Sequence, residues 1–365
     1  AAIEAARFVP ALDGHRLSDR TVFHVNDWHT GLLPVYLKAL YQPAGILRGA
    51  STVLGLHNMG HQGSAPADRF SGLDLSPRWA PTLDMHGRVN PLKAGVVTAD
   101  ALVAVSPTYS RQIQHDQGFG LEELLRARRS DLIGIVNGIG PEWDPATDPH
   151  LPAHFTIDDL SGKVANKRAL QQELGLPVRD VPMFAMISRL DYQKGVDLVQ
   201  SVAPWLLSRD VQLVMLGSGS SEYEAFFRAA ERRWPMQARG WVGFNEPLAH
   251  RIEAAADFFL MPSRFEPCGL NQLYSMRYGA VPIVHATGGL ADTVTTAGMG
   301  TADATGWAFQ PHTVEAFAEA VGWALLTYTH YPDAFARIRA NGMRRDSSWD
   351  RSAATYEAVY RAVSR

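Results

Sequence analysis

Residues 256–289 read ADFFLMPSRFEPCGLNQLYSMRYGAVPIVHATGG. The apolar run from Phe258 to Met261 stops at Pro262. Residues 270–278 then carry a helical pattern, and 281–284 form a second apolar run just before Gly288 and Gly289. Strand, short turn, helix and strand in that order predict a parallel crossover unit. Such strands are buried on both faces, so they are apolar throughout instead of alternating. The short turn nevertheless carries a carboxylate, Glu266, close to Arg264. A carboxylate beside a buried strand is costly without partners and useful for holding a polar ligand.

The same rhythm extends in both directions. Strand candidates are 21–25, 51–56, 101–106 and 132–136, then 182–187, 211–216, 257–261 and 281–284. Helical patterns at 32–40, 196–207, 221–234, 270–278 and 314–326 separate most of them. This alternation predicts an α/β protein with parallel sheets covered on both faces. The stretch 137–160 breaks the rhythm with Pro and Asp and is the candidate hinge. A length of 365 residues suits two domains, of which the second reads as complete and the first as short.

Composition narrows the function classes. With 46% hydrophobic and 19% charged residues, the chain can bury a large core. A net charge of −3 and no basic tail argue against nucleic acid as a partner. Cys268 is the single cysteine, so no internal disulfide is possible and a reducing compartment fits. No run of about 18 apolar residues predicts a membrane-spanning helix. The first residues lack a signal-peptide pattern, which makes a cytoplasmic location the expectation. They read as a helix already under way, and the missing initiator Met points to further sequence upstream.

Parallel sheets bind ligands at the carboxyl ends of their strands. Five polar clusters fall there: 24–31, 57–63, 188–195, 217–220 and the opening stretch. Together they predict a cleft. Arg189 and Lys194 flank a turn leading into a helix, which suits a diphosphate; the alternative is a solvated basic loop. Gly217-Ser218-Gly219 is not a full G-x-G-x-x-G, so dinucleotide binding carries little weight. His57 and His61 make a metal conceivable, but Gly60 and Gly63 argue against one helix carrying both, and no metal is expected. His57 reads as a hydrogen-bond donor in the cleft or as a satisfied buried histidine. Asp27 could orient a substrate hydroxyl, act as a base, or cap a helix near Thr30. Glu266, beside a helix N-terminus, could grip sugar hydroxyls; otherwise it caps that helix or pairs with Arg264. Cys268 reads as a reactive thiol or, more economically, as a small residue that lets its backbone approach a ligand.

The ordered stretches HVNDWHTGLLPVYL, VVTADALVAVSPTYSRQI, GIVNGIGPEWDPATDPHL, NKRALQQELGLP, ISRLDYQKGVDLV, SRFEPCGLNQLY and HATGGLADTV cover nearly the whole chain. The sequence resembles bacterial glycogen synthase, the ADP-glucose type of starch synthase in retaining glycosyltransferase family 5. A neighbouring family of retaining transferases usually has a second Glu eight positions after the first, where this chain has Tyr274. The resemblance implies a GT-B architecture, two Rossmann-like, doubly wound parallel-sheet domains facing a cleft, the first incomplete. It implies a first domain over 1–138, a nucleotide-sugar domain over 139–345 and a helix in 346–365 that crosses back to the first.

The implied reaction moves glucose from ADP-glucose to the non-reducing end of an α-1,4-glucan, with retention and without a metal or other cofactor. Arg189 and Lys194 would bind the diphosphate. Glu266, with the N–H groups of Cys268 and Gly269, would hold the glucose, which His57 would face. Asp27 and Asn137 would line the cleft, and Leu270 and Asn271 would lie near the phosphates. Phe244 would stack on adenine, where the family often has Tyr; the alternative is core packing. Tyr274, Thr287, Gly288 and Gly289 complete the donor-binding set. The chain departs from the family at Asn26 (commonly His), His61 (commonly Tyr) and Gly140 (commonly Asp), and it contains no Lys-x-Gly-Gly-Leu turn. Competing readings are a truncated, non-catalytic glucan- or nucleotide-binding remnant and a retaining transferase using a UDP-sugar.

Overall fold

In the computed structural model, which describes residues 2–8, 21–298 and 300–364, the chain divides into two compact units. One is 1–137 with 350–365, and the other is 138–349.

The first unit holds a parallel sheet of β1 (Val22–Asn26), β2 (Ser51–Leu56), β3 (Ala101–Ala104) and β4 (Leu132–Gly134), side by side in that order. Val53 and Val103 point to one face, where they meet Ile135 and the C-terminal helix Trp349–Val363 through Val359, Tyr356 and Tyr360. That helix is tied at both ends: Ser352 Oγ donates to the Val136 carbonyl and Ser51 Oγ donates to the Val363 carbonyl, each at 2.6 Å. On the other face Leu54 meets the helix Pro91–Thr98 at Gly95. The helical pattern at 32–40 becomes an α-helical turn, Leu33–Tyr36, that continues as a π-helical segment, Leu37–Tyr41. A small antiparallel sheet of residues 65–66, 88–89 and 84–85, absent from the sequence reading, sits beside them.

The second unit holds six parallel strands: β5 (Met183–Leu190), β6 (Gln212–Gly219), β7 (Ala238–Val242), β8 (Phe258–Met261), β9 (Val281–His285) and β10 (Trp307–Phe309). Their order is β7-β6-β5-β8-β9-β10, the doubly wound arrangement. The continuous apolar runs follow from burial on both faces. Phe184, Met186, Leu213, Met215, Phe258 and Leu260 enter one core, while Met183, Ala185, Val214, Leu216, Phe259 and Met261 enter the other. β7 and β10 escaped the sequence reading because they are the sheet's edges: ARGWV is polar and half-exposed, and WAF is three residues long.

The amino end of β8 is locked by charge. Asp257, 5% exposed, accepts from Lys167 Nζ at 2.6 Å, Arg339 Nη2 at 2.9 Å and the Met183 N–H at 3.0 Å. Burial alone would raise its pKa, but the two cations outweigh burial and hold it below the ordinary carboxylate value. Among the described residues no helix is long and apolar enough to cross a membrane.

Candidate active site

Strand order in the second unit reverses between β5 and β8, and the crevice of such a sheet opens at the carboxyl ends of those two strands. β5 runs on through Ser188 and Arg189 to Leu190, paired with β6 as far as Gly219, so Arg189 stands on the strand itself. After it, Asp191 Oδ1 accepts from the Lys194 N–H at 3.1 Å and caps the short turn Tyr192–Lys194. Gly195 closes the turn with φ +67° and starts the helix Val196–Leu206. A Cβ at Gly195 would lie 1.9 Å from the Pro262 carbonyl oxygen, so only glycine allows this turn to seat on the loop after β8.

That seating brings Lys194 to Glu266. Lys194 Nζ lies 2.5 Å from Glu266 Oε2, which also accepts from Ser263 Oγ at 3.1 Å. Glu266 is buried, 6% exposed. The sequence left open a pair between Glu266 and Arg264, and the structure corrects it. Arg264 forms a two-pronged pair with Asp197, at 2.9 and 2.7 Å, and lies 3.6 Å over the Tyr192 ring. Capping is also excluded: the helix is Asn271–Arg277, begins five residues after Glu266, and has no side-chain cap. Arg189, largely exposed, pairs with Asp191 at 2.9 Å.

Behind Glu266, Gly288 and Gly289 act through packing. A Cβ at Gly288 would lie 2.0 Å from the Glu266 carbonyl, and one at Gly289 2.0 Å from the Cys268 carbonyl. The Gly289 N–H donates to the Glu266 carbonyl at 3.0 Å, and Thr287 is buried at the start of the helix Gly288–Thr293. The Cys268 side chain is itself buried, which argues against a solvent-facing thiol. Gly269 has φ +72°, and Asn271 Nδ2 donates to the Ile187 carbonyl at 2.7 Å.

Two adjoining cavities open here, with Ile187, Ser188, Arg189 and Asn271 in both linings. One, of about 210 Å³, is lined also by Lys194, Ser263, Glu266, Gly269 and Leu270. The other, of about 350 Å³, is bordered by Phe244, Trp143, Tyr274 and Glu253. Phe244 is 89% exposed, which rules out core packing for it. Tyr274 stacks on Trp143 at 3.7 Å, and Trp143 stacks on His250 at 3.8 Å. Below them Asp148 Oδ2 accepts from Tyr278 at 2.6 Å and lies 2.7 Å from His250 Nδ1. Burial pushes the Tyr274 hydroxyl up to about 12, so it stays protonated. A larger cavity of about 690 Å³, beside Trp323 and Tyr331, contains none of the expected site residues.

In the first unit, β1 and β2 bring His24, Asn26, Asp27 and His57 together. Gly55 makes room for them: a Cβ there would lie 2.5 Å from Asn26 Oδ1, 3.1 Å from His57 Nε2 and 3.3 Å from His24 Nε2. His57 Nε2 lies 2.9 Å from Asn26 Oδ1, and the His57 N–H donates to Asp27 Oδ1 at 2.8 Å. Asp27 has φ +51° and does not cap the helix Asp27–Thr30, whose cap position is Asn26. His24 Nδ1 lies 2.7 Å from Tyr360 OH, and burial lowers its pKa, with His57 adding to the effect. His61 is exposed; Asn137, at the end of the unit, is half-buried with an unpartnered Oδ1. Among the described residues no group of three or more His, Cys, Asp or Glu could hold a metal ion.

Sequence reasoning missed Ser263, Trp143, His250 and Glu253. The last two had a signal: His250 and Glu253 stand three apart on the helix Glu246–Ala255, on its buried face.

Residues 1–127 match the family described as starch synthase catalytic domain, and 167–341 match glycosyl transferases group 1. The glycogen synthase of Anaeromyxobacter sp. (strain Fw109-5) is 50% identical over 98% of this chain and 76% of its own length. Starch synthase 1, chloroplastic/amyloplastic, of Arabidopsis thaliana is 45% identical over the whole of this chain. The chain spans 59% of that plant relative's length. Among solved structures, the catalytic domain of starch synthase IV from Arabidopsis thaliana, bound to ADP and acarbose, aligns with a TM-score of 0.88 at 35% identity. That alignment covers 94% of this chain and 73% of the other. The fold is therefore that of GT-B glycosyltransferases.

Proposed function

We propose that this chain, which belongs to the family of glycogen synthases and starch synthases, carries the donor site of a retaining glucosyltransferase. The reaction is transfer of glucose from ADP-glucose to the non-reducing end of an α-1,4-glucan. One observation carries the reading: Lys194, Glu266 and Arg189 line one cavity at the switch point, and it adjoins a second with an exposed aromatic lip at Phe244. A nucleotide diphosphate sugar has the matching parts, namely a flat base, two phosphates and a polyol. The structure of the starch synthase bound to ADP and acarbose supports the same assignment.

Breaking the bond between sugar and diphosphate leaves negative charge on the leaving group and positive charge on the sugar ring. Arg189 and Lys194 stabilise the leaving phosphates, and preoriented cations do so without reorganisation. Glu266 accepts from sugar hydroxyls, held in place by Ser263 and Lys194. Among the described residues, Glu266 is the one carboxylate in the lining of the smaller cavity. A double displacement through a second carboxylate is therefore not demanded, and attack on the face from which the leaving group departs accounts for retention. The two cations supply the charge that a metal would otherwise carry. For His57, Asp27 and Asn137 the support is the family resemblance, by which His57 would face the transferred glucose and Asp27 and Asn137 would line the cleft.

Glucose transfer from ADP-glucose to glycogen tests the roles. Glu266→Ala and Lys194→Met should each lower kcat by about 100-fold or more while the fold is retained, the scale of losing one preoriented electrostatic group. Near-normal turnover by Glu266→Ala would overturn the assignment.

A further inference from the structure

Glu253 is a buried acid that the reaction described above does not use. It sits on the helix Glu246–Ala255, 1% exposed, and borders the cavity of about 350 Å³ with Phe244, Trp143 and Tyr274. Its Oε2 has no hydrogen-bond partner among the described residues. Lys163 beside it is held by backbone: its Nζ donates to the carbonyls of Glu253 at 3.5 Å, Ala254 at 3.0 Å and Tyr278 at 2.8 Å. A buried carboxyl with an unsatisfied oxygen costs stability, and a leucine or methionine would fill the same space without that cost. A polar group kept at such a cost on a cavity wall points to a ligand that satisfies it.

On the reading of this rim as a donor-nucleotide site, we propose that Glu253 selects adenine as the base. Its carboxyl accepts from the exocyclic amine and donates to the adjacent ring nitrogen. Adenine presents one donor and one acceptor side by side on that edge, and a protonated acid presents their complement. Burial raises the Glu253 pKa well above its usual value, against the pull of Lys163, so the acid keeps its proton. Geometry adds selectivity by size. The exposed Phe244 and the buried Glu253 line the same cavity. A two-ring base stacked on Phe244 extends further across that cavity than a one-ring pyrimidine.

Calorimetric titration of the intact protein with ADP, UDP and pyrophosphate tests this, using wild type, Glu253→Gln and Glu253→Met. The amide keeps a donor and an acceptor, while the thioether removes both at similar volume. Glu253→Met should weaken ADP about tenfold and change UDP and pyrophosphate by less than about twofold. Glu253→Gln should stay within about threefold of wild type for ADP. With ADP-glucose as donor, the methionine variant should raise KM and leave kcat nearly unchanged. Wild-type affinity of Glu253→Met for ADP would overturn the proposal, as would parallel loss of ADP, UDP and pyrophosphate binding. Failure of the wild-type protein to bind ADP would instead refute the donor-site reading, and the role of Glu253 would fall with it.

Discussion

Replacing Gly195 by alanine perturbs the contact that places Lys194 beside Glu266. Two costs add. The residue has φ +67°, a region that costs an L-residue with a Cβ about 1–2 kcal/mol. The new Cβ would also lie 1.9 Å from the Pro262 carbonyl oxygen and 2.9 Å from its carbon. Both are backbone atoms, and the carbonyl is further held by His312 Nε2 at 2.8 Å, so no flexible side chain can yield. Overpacking of this kind adds about 1–3 kcal/mol. The expected destabilisation is therefore about 2–5 kcal/mol, read from denaturant unfolding of the variant and wild type. Gly72→Ala is the control, since a Cβ there meets nothing within 4 Å, and it should change stability by less than about 0.5 kcal/mol. ADP affinity should fall with Gly195→Ala as Lys194 moves from Glu266. A Gly195→Ala protein within about 1 kcal/mol of wild type, with unchanged ADP affinity, would refute the reasoning.

Asp257→Asn leaves the buried Lys167 and the half-buried Arg339 without their shared carboxylate and should cost about 3–5 kcal/mol at neutral pH by chemical denaturation. Because the folded pKa of Asp257 lies below 3.8, its contribution is complete above that value and is lost as pH falls through the folded pKa. The deficit of the variant should therefore shrink in acid, and a pH-independent deficit would contradict the ion-pair account. In the first unit, Gly55→Ala pushes a methyl against Asn26 and His57 but suits a strand. Glucan extension should drop about tenfold with little change in melting temperature; unchanged kcat would remove this cluster from the reaction.

The strands that build both sheets' interiors were legible because burial on two faces demands an unbroken apolar run, as in Phe258–Met261. The edges β7 and β10 were not, since an edge strand needs no such run. Arg189, Lys194 and Glu266 were legible from their place after apolar runs, and the structure brings them to one cavity. Their partners were not, because pairing depends on distances that spacing does not encode. Arg264 is two residues from Glu266 yet pairs with Asp197, while Lys194, 72 residues away, reaches Glu266. Phe244 illustrates the same limit: an aromatic after a strand reads equally as core, and only its exposure decides. Trp143 lies in the Pro- and Asp-rich stretch read as a hinge, whose composition gives no hint that its indole stacks between His250 and Tyr274.

Glucose transfer by this protein is open to one direct measurement. The intact protein is incubated with glycogen and either ADP-glucose or UDP-glucose, and new α-1,4-linked glucose at the glucan ends is quantified. Extension from ADP-glucose, with UDP-glucose a poorer donor, is the predicted result. No extension from ADP-glucose would contradict it.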